Sequence, residues 1–252
     1  MYITGFTDIG LKYEVNQDCY RAGRINDSLF WMILCDGMGG LSYGERASRS
    51  VCDSVCEIMR DGLSGIGSTS ELTDFVSYSL KEANRKLLSE EKNVFGDVMM
   101  GTTAVVTVVR NRDAVIGHCG DSRAYHYSKK VLTQVTRDHS VVQDLLDSGK
   151  ITLQQALSHP NRNIITNALG VDDHLRVDID TVRLRKGDMI LMCSDGLSNI
   201  LMPEKICDIL SGSEFFASAE TLVKAALEDG AYDNTTAVVF KIRSEEPCRE
   251  RV

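Results

Sequence analysis

Residues 29–40 read LFWMILCDGMGG. An unbroken apolar run ends on Asp36, and glycines follow at 37, 39 and 40. Asp-Gly ordinarily marks a hairpin turn, because glycine takes positive φ freely and aspartate tolerates it. No partner strand follows here. The glycine loop leads instead into a helical stretch at 44–60, GERASRSVCDSVCEIMR. The same order returns at 189–196, MILMCSDG, followed by LSNIL and a helix starting near Pro203. Asp-Gly also occurs at 61–62 and 229–230, but each of those pairs ends a helical stretch, where a left-handed glycine cap is expected. Two of the four pairs therefore close helices, and two put a carboxylate at the end of a buried strand.

Outward from that stretch, strand-like runs occupy 2–7, 102–110, 114–119, 124–127, 175–184 and 235–242, besides 29–35 and 189–193. They are rich in β-branched and aromatic residues and bounded by Gly, Asp or Asn. A second long helix is expected at 71–88, where Leu72, Phe75, Val76, Ser79 and Leu80 share one face. Shorter helices are expected at 140–148, 152–158, 203–210 and 218–228. Two long helices follow the first strands, then a block of strands, then short helices and a closing strand. That order is not the β-α-β alternation of a parallel sheet, and it points to an α+β layered fold with antiparallel sheets.

The chain has 252 residues, 43% of them hydrophobic and 25% charged, as in an ordinary globular protein. Its 28 Lys and Arg against 36 Asp and Glu give a net charge of −8. This argues against a nucleic-acid backbone as partner and suits a protein that holds cations. The start, MYITGFTDIG, shows no secretory pattern, and no apolar run reaches the length of a membrane span. A cytoplasmic protein with no membrane partner is expected. The cysteines at 19, 35, 52, 56, 119, 193, 207 and 248 then read as thiols rather than disulfides, and no zinc-like spacing joins them. One domain is expected over 1–243, with a charged tail, SEEPCRERV, at 244–252.

The carboxylates at element ends carry the chemistry. Besides Asp36 and Asp195, AVIGHCGD delivers Asp121, AYDNTTAVVF places Asp233 and Asn234 before a strand, and EVNQD places Asp18 before CYRAGRI. Unpaired carboxylates beside an apolar sheet are costly, and several together repel. Divalent Mg²⁺ or Mn²⁺ removes both objections, since these ions take oxygen ligands. Two such ions sharing one carboxylate form a site that activates water and screens a phosphoryl group. Asp36 is the natural shared ligand. The glycines after it would let ions and substrate approach the backbone.

With TDIGLKYEVNQD (7–18), DGMGG (36–40), GTT (101–103), GDSRAY (120–125), TRDHS (136–140), HPNRNIITNALG (159–170), CSDGLSN (193–199) and YDNTTAVV (232–239) in register, the chain resembles the metal-dependent protein serine/threonine phosphatases of the 2C type, in particular their bacterial branch. The resemblance implies an α-β-β-α sandwich of two packed antiparallel sheets flanked by helices. It implies hydrolysis of phosphoserine and phosphothreonine by a water or hydroxide bridging two divalent metals, Mn²⁺ or Mg²⁺, with no phosphoenzyme. Carried over by position, Asp36 bridges the metals, the Gly37 carbonyl serves one, and Asp195 and Asp233 complete the other. Asp18 binds directly or through water, and Asp121 with Asp195 holds a third ion. Asn234 orients Asp233, and Ser122 supports the site. The implied partners are phosphoproteins, including a Ser/Thr kinase and its targets, with the phosphatase acting as a monomer.

Three positions depart from the pattern or qualify it. Met38 stands where relatives in eukaryotes carry a histidine, and Met transfers no proton. Tyr13, after Lys12, stands where the family has a phosphate-gripping arginine; its phenol can donate one hydrogen bond to phosphate but brings neither charge nor a bidentate fork, and Lys12 is the candidate to supply the charge. Asn167 also stands where arginine is expected. His139, the nearest motif histidine, is read as structural. A mobile flap is expected over about 140–165. Two further readings share the same residues: a weakly active regulatory module of this fold, and a hydrolase of small phosphoesters.

Overall fold

The computed structural model describes residues 1–39, 43–94 and 100–243. Gly40 and the tail at 244–252 lie outside the described residues. One sheet runs in the order β1 (Tyr2–Asp8), β11 (Thr235–Lys241), β10 (Met189–Cys193), β7 (Arg123–Ser128), β8 (Val131–Gln134). The other runs β2 (Asp18–Asn26), β3 (Leu29–Met38), β5 (Ala104–Arg110), β6 (Asp113–Cys119), β9 (Asp178–Arg183), with the short β4 (Gly101–Thr102) on the end of β3. All pairings are antiparallel.

The opening apolar run is explained by two covered faces. Phe30, Met32 and Leu34 of β3 pack with Ile190, Met192, Val238 and Phe240 between the sheets. Trp31, Ile33 and Cys35 point the other way, onto Val51, Val55, Leu72, Val76 and Leu80. Those residues belong to α1 (Tyr43–Gly62) and α2 (Thr69–Val94). On the far side, α6 (Pro203–Gly212) and α7 (Ser218–Glu228) cover Leu191, Cys193 and Val239. A strand with helices on one face and a sheet on the other must be apolar throughout.

In antiparallel neighbours, the start of one strand lies beside the end of the next. The acids near the end of β3 and just after β10, and the acids that precede β11 or begin β2, therefore gather at one edge. Between β8 and β9 the chain leaves the sheets to form α3 (Val141–Asp147) and α4 (Leu153–Leu157). Ser140 caps α3 and Thr152 with Gln155 boxes the start of α4. An isolated bridge, Ser140↔Ile165, closes the base of this excursion.

The strands β2 and β8 and the single-turn α5 (Asp195–Ser198) escape the pattern reading, because β2 is half-exposed with Arg and Asn along it and the other two are too short. Residues 175–177, expected in a strand, precede β9. Asp36 does not end its strand: β3 runs on to Met38 by pairing with β4. Gly62 is not a left-handed cap, since its φ is −108° and the chain continues into a 3-10 turn. Gly230, with φ +91°, takes the expected conformation.

Candidate active site

A cleft of about 890 Å³ opens at this edge, lined by Asp36, Gly37, Asp121, Asp195, Asp233 and Asn234, with Lys12, Tyr13 and Met38 also on its wall. Asn163 and Ile165 border it from the flap side. Asp18 lies beneath, only 8% exposed and in register opposite Asp36. All the acids singled out in the sequence thus come together. Among the described residues, no Cys or His lines the cleft.

Hydroxyls hold the acids. Ser194 Oγ and Thr236 Oγ1 donate to Asp18 Oδ2 at 2.7 and 2.6 Å. Its other oxygen, Oδ1, is buried and finds no partner among the described residues. The Asp36 amide donates to Thr103 Oγ1 (3.1 Å), which lies 2.7 Å from Ser122 Oγ. Ser122 therefore supports Asp36 through Thr103. Asn199 Nδ2 donates to Asp195 Oδ2 (3.1 Å) from the next turn. The Asn234 backbone amide donates to Asp233 Oδ1 (2.8 Å). The Asn234 side chain does something else: Oδ1 accepts from Gln17 N (2.7 Å), and Nδ2 donates to Ile9 O (2.7 Å). It staples the 9–17 loop, with Lys12 and Tyr13, to the start of β11.

The electrostatics are those of an acid cluster in which burial and mutual repulsion outweigh the nearby charge of Arg123. Burial, and then the charges of Asp18, Asp195, Asp121 and Asp233, push Asp36 well above the usual carboxylate range. Burial raises Asp18 to about 7 despite its two hydroxyl donors, with Asp195 and Asp233 adding repulsion. Asp121 rises to about 7 from burial and the nearby Asp195 and Asp138. Asp195 rises to about 6 through burial and Asp233, partly offset by a hydrogen bond with Asp36. Such a set calls for cations. An all-oxygen donor set with a buried orphan oxygen fits hard divalent ions.

The glycine after Asp36 has a structural reason. A Cβ on Gly37 would lie 2.0 Å from Gly44 O and 2.8 Å from Gln17 O. Its bare Cα admits the start of α1 rather than only a ligand.

Lys12 and Tyr13 stand at the rim as a pair. Lys12 Nζ donates to Tyr13 OH (3.4 Å) and lies 5.0 Å from the ring centre. Tyr13 is 44% exposed. Asn167, by contrast, does not line the cleft. Its Nδ2 donates to His139 Nδ1 and Arg176 O, both at 2.8 Å, so its replacement of arginine does not alter the cleft wall. Thr103, Ser194 and Thr236 are the functional residues that the sequence reading passed over. Ser194 adjoins Asp195 and Thr236 follows Asn234 by two residues, so adjacency was their signal, whereas Thr103, at the end of GTT, has no motif Asp or Asn beside it. A last motif pair is structural. Arg123 forms a two-point ion pair with the 7%-exposed Asp138, fixing TRDHS against β7.

Residues 12–233 match the protein phosphatase 2C family. The chain is 34% identical to protein phosphatase PhpP of Streptococcus pneumoniae, over 98% of this chain and 99% of that one. It superposes on the serine/threonine phosphatase PstP/Ppp of Mycobacterium tuberculosis with a TM-score of 0.86 at 32% identity, covering 96% and 99% of the two chains. A structure of the PstP catalytic domain in complex with two manganese ions gives a TM-score of 0.83 at 31% identity, covering 96% and 98%.

Proposed function

The chain belongs to the protein phosphatase 2C family, in its bacterial branch, and from that premise we propose how its residues divide the work. It is a metal-dependent protein serine/threonine phosphatase, and its substrates are phosphoproteins. We assign Asp36 to both of two divalent ions, with the Gly37 carbonyl, Asp195 and Asp233 completing their protein ligands. Asp18 binds directly or through water, and Asp121 with Asp195 takes a third ion. The observation that carries this assignment is the unpartnered, buried Oδ1 of Asp18 directly opposite Asp36.

When bound, the ions supply the nucleophilic water and the positive charge that a phosphoryl group needs. The chain does the rest. Ser194 and Thr236 fix the Asp18 carboxylate, Asn199 fixes that of Asp195, and Thr103 holds the backbone of Asp36, which limits how far these ligands must reorganise. Lys12 and the Tyr13 hydroxyl face the place where phosphate oxygens arrive. Met38 on the cleft wall has no proton to give, so that position does not protonate the leaving alkoxide.

PstP holds two manganese ions, which makes Mn²⁺ the first ion to test, with Mg²⁺ second. Family membership alone supports a Ser/Thr kinase and its targets as substrates, and a monomer as the working form. The seven described cysteines are free thiols, which supports a reducing cytoplasm and a signalling role there. Among the described residues, no helix is long and apolar enough to cross a membrane.

The test is turnover of a phosphothreonine peptide by chelator-treated protein, before and after Mn²⁺ or Mg²⁺, beside a small aryl phosphate. Metal restoring activity on the peptide is the expected result. Full activity in metal-free protein would overturn the assignment.

A further inference from the structure

His139 is 1% exposed and sits where the flap begins, yet it also holds the loop that carries Asp121. Its backbone amide donates to Gly120 O (2.9 Å), and Gly120 N donates back to His139 Nδ1 (3.3 Å). Its own carbonyl accepts from Thr166 N (2.8 Å), where the flap returns. Asn167 Nδ2 donates to the same Nδ1 (2.8 Å). Two donors on Nδ1 leave the ring proton on Nε2, which donates to Asp178 Oδ2 (3.1 Å). Burial holds His139 below its ordinary range, in keeping with a neutral ring.

His118, His139 and Asp178 have atoms close enough together to suggest a metal site. The proton assignment speaks against it. His139 Nε2 carries the hydrogen, and moving that hydrogen to Nδ1 would set it against the Gly120 and Asn167 donors. What these bonds build is a joint.

Gly120 is the tightest point of that joint. Its φ is +105°, and a Cβ there would lie 2.6 Å from Thr103, the residue that holds Asp36. It is thus pressed between Thr103 and His139, one position before Asp121. The flap side is tied to the same place. Arg137, two residues before His139, pairs with Asp147 of α3, and its carbonyl accepts from His118 Nε2 (2.8 Å).

We propose that His139 is a positioning residue that locks the Asp121 loop to the base of the flap, so that seating the flap sets where the Asp121 carboxylate stands. The proposal rests on the assignment of Asp121 to an ion. It predicts that losing the Nδ1 acceptor acts on turnover and on the weakest ion site, through Asp121 and through nothing else.

A double-mutant cycle of His139→Phe and Asp121→Asn tests it, with two measurements: kcat and KM on a phosphothreonine peptide, and Mn²⁺ binding followed by the spin resonance of free Mn²⁺. His139→Phe should lower kcat about ten-fold with KM little changed, and weaken the weakest Mn²⁺ site by a similar factor. The double variant should be no worse than Asp121→Asn alone. His139→Asn, whose amide can return an acceptor at the place of Nδ1, should recover most of the loss. Additive effects in the cycle, or His139→Asn as impaired as His139→Phe, would overturn the proposal. If His139→Phe does not fold, Asn167→Ala replaces it in the cycle with the same expected coupling, and additivity there overturns the proposal equally. Asp121→Asn leaving both measurements unchanged would instead remove the assignment on which the proposal stands, while metal-dependent turnover still upheld the phosphatase itself.

Discussion

Asp18 and Asp36 face each other directly across the β2–β3 ladder, with Cys19 and Cys35 paired one step behind them. Two carboxylates opposed in this way destabilise a sheet unless a cation lies between them.

Metal-free protein should therefore lose stability as pH rises. Folded Asp18 and Asp121 stand at about 7 and Asp195 at about 6, against about 3.9 for an unfolded aspartate. Between those values the folded state binds more protons than the unfolded one, so stability is highest at the acid side and falls through roughly pH 4–7. Thermal unfolding at about pH 5.5 and about pH 8 checks this. The metal-free Tm should be lower at the higher pH, and Mn²⁺ should raise Tm more there, because it no longer competes with protons. A metal-free Tm that climbs toward pH 8 would contradict the cluster as described.

Asp36→Asn and Asp195→Asn should each abolish turnover, while the metal-free protein becomes more stable than the wild type, since a like charge is removed from the cluster. Asp61→Asn and Asp229→Asn should be near neutral for both. Asp229 meets Lys205 (2.6 Å) with both side chains about two-fifths exposed, a pair worth about 0–1 kcal/mol. Equal behaviour of all four variants would erase the distinction between strand-end and helix-end aspartates.

Tyr13→Arg should lower KM for a phosphopeptide and leave kcat within a few-fold. A charge-assisted hydrogen bond is worth about 1.5–3 kcal/mol, less where water reaches it, so kcat/KM should gain about three- to thirty-fold. Lys12→Ala shows whether the neighbouring ammonium already serves. A sharp rise in KM from Lys12→Ala, with no gain from Tyr13→Arg, would mean the clamp is complete as it stands.

Gly120→Ala should cost more than its single methyl suggests. It forces a side chain into a positive-φ conformation and against Thr103, for about 1–3 kcal/mol from the backbone alone. Loss of activity should exceed loss of stability, because Thr103 carries the amide of Asp36. Steady-state kinetics beside denaturant unfolding separates the two.

The clustering of the acids and the layered fold were legible because both obey simple rules. Asp36 and Asp195 each end a run apolar on both faces, and a carboxylate there has little to do except bind something. The hydroxyls were harder to read. Ser194 and Thr236 look like ordinary polar residues until β10 and β11 pair and bring both onto Asp18. Asn167 misled for a related reason. It stands where an arginine is expected, but its amide is engaged by His139 and the Arg176 backbone, contacts set by a chain reversal that no periodicity encodes. Gly37 was read as an opening for ligands, whereas the approach of Gly44 is a tertiary contact.

The staple from Asn234 to Gln17 joins residues 217 positions apart, and β1 pairs with β11 over its whole length. The two flanks of the cleft therefore come from segments made far apart in time. A ribosome adding about 5–20 residues per second needs roughly 10–40 s to pass from one to the other. For most of that interval the nascent chain carries Asp18 and Asp36 but lacks Asp233 and the strand that seats Asp18. Catalytic competence is thus withheld until β11 has been made, and a truncated product that lacks β11 is born inert rather than partly active.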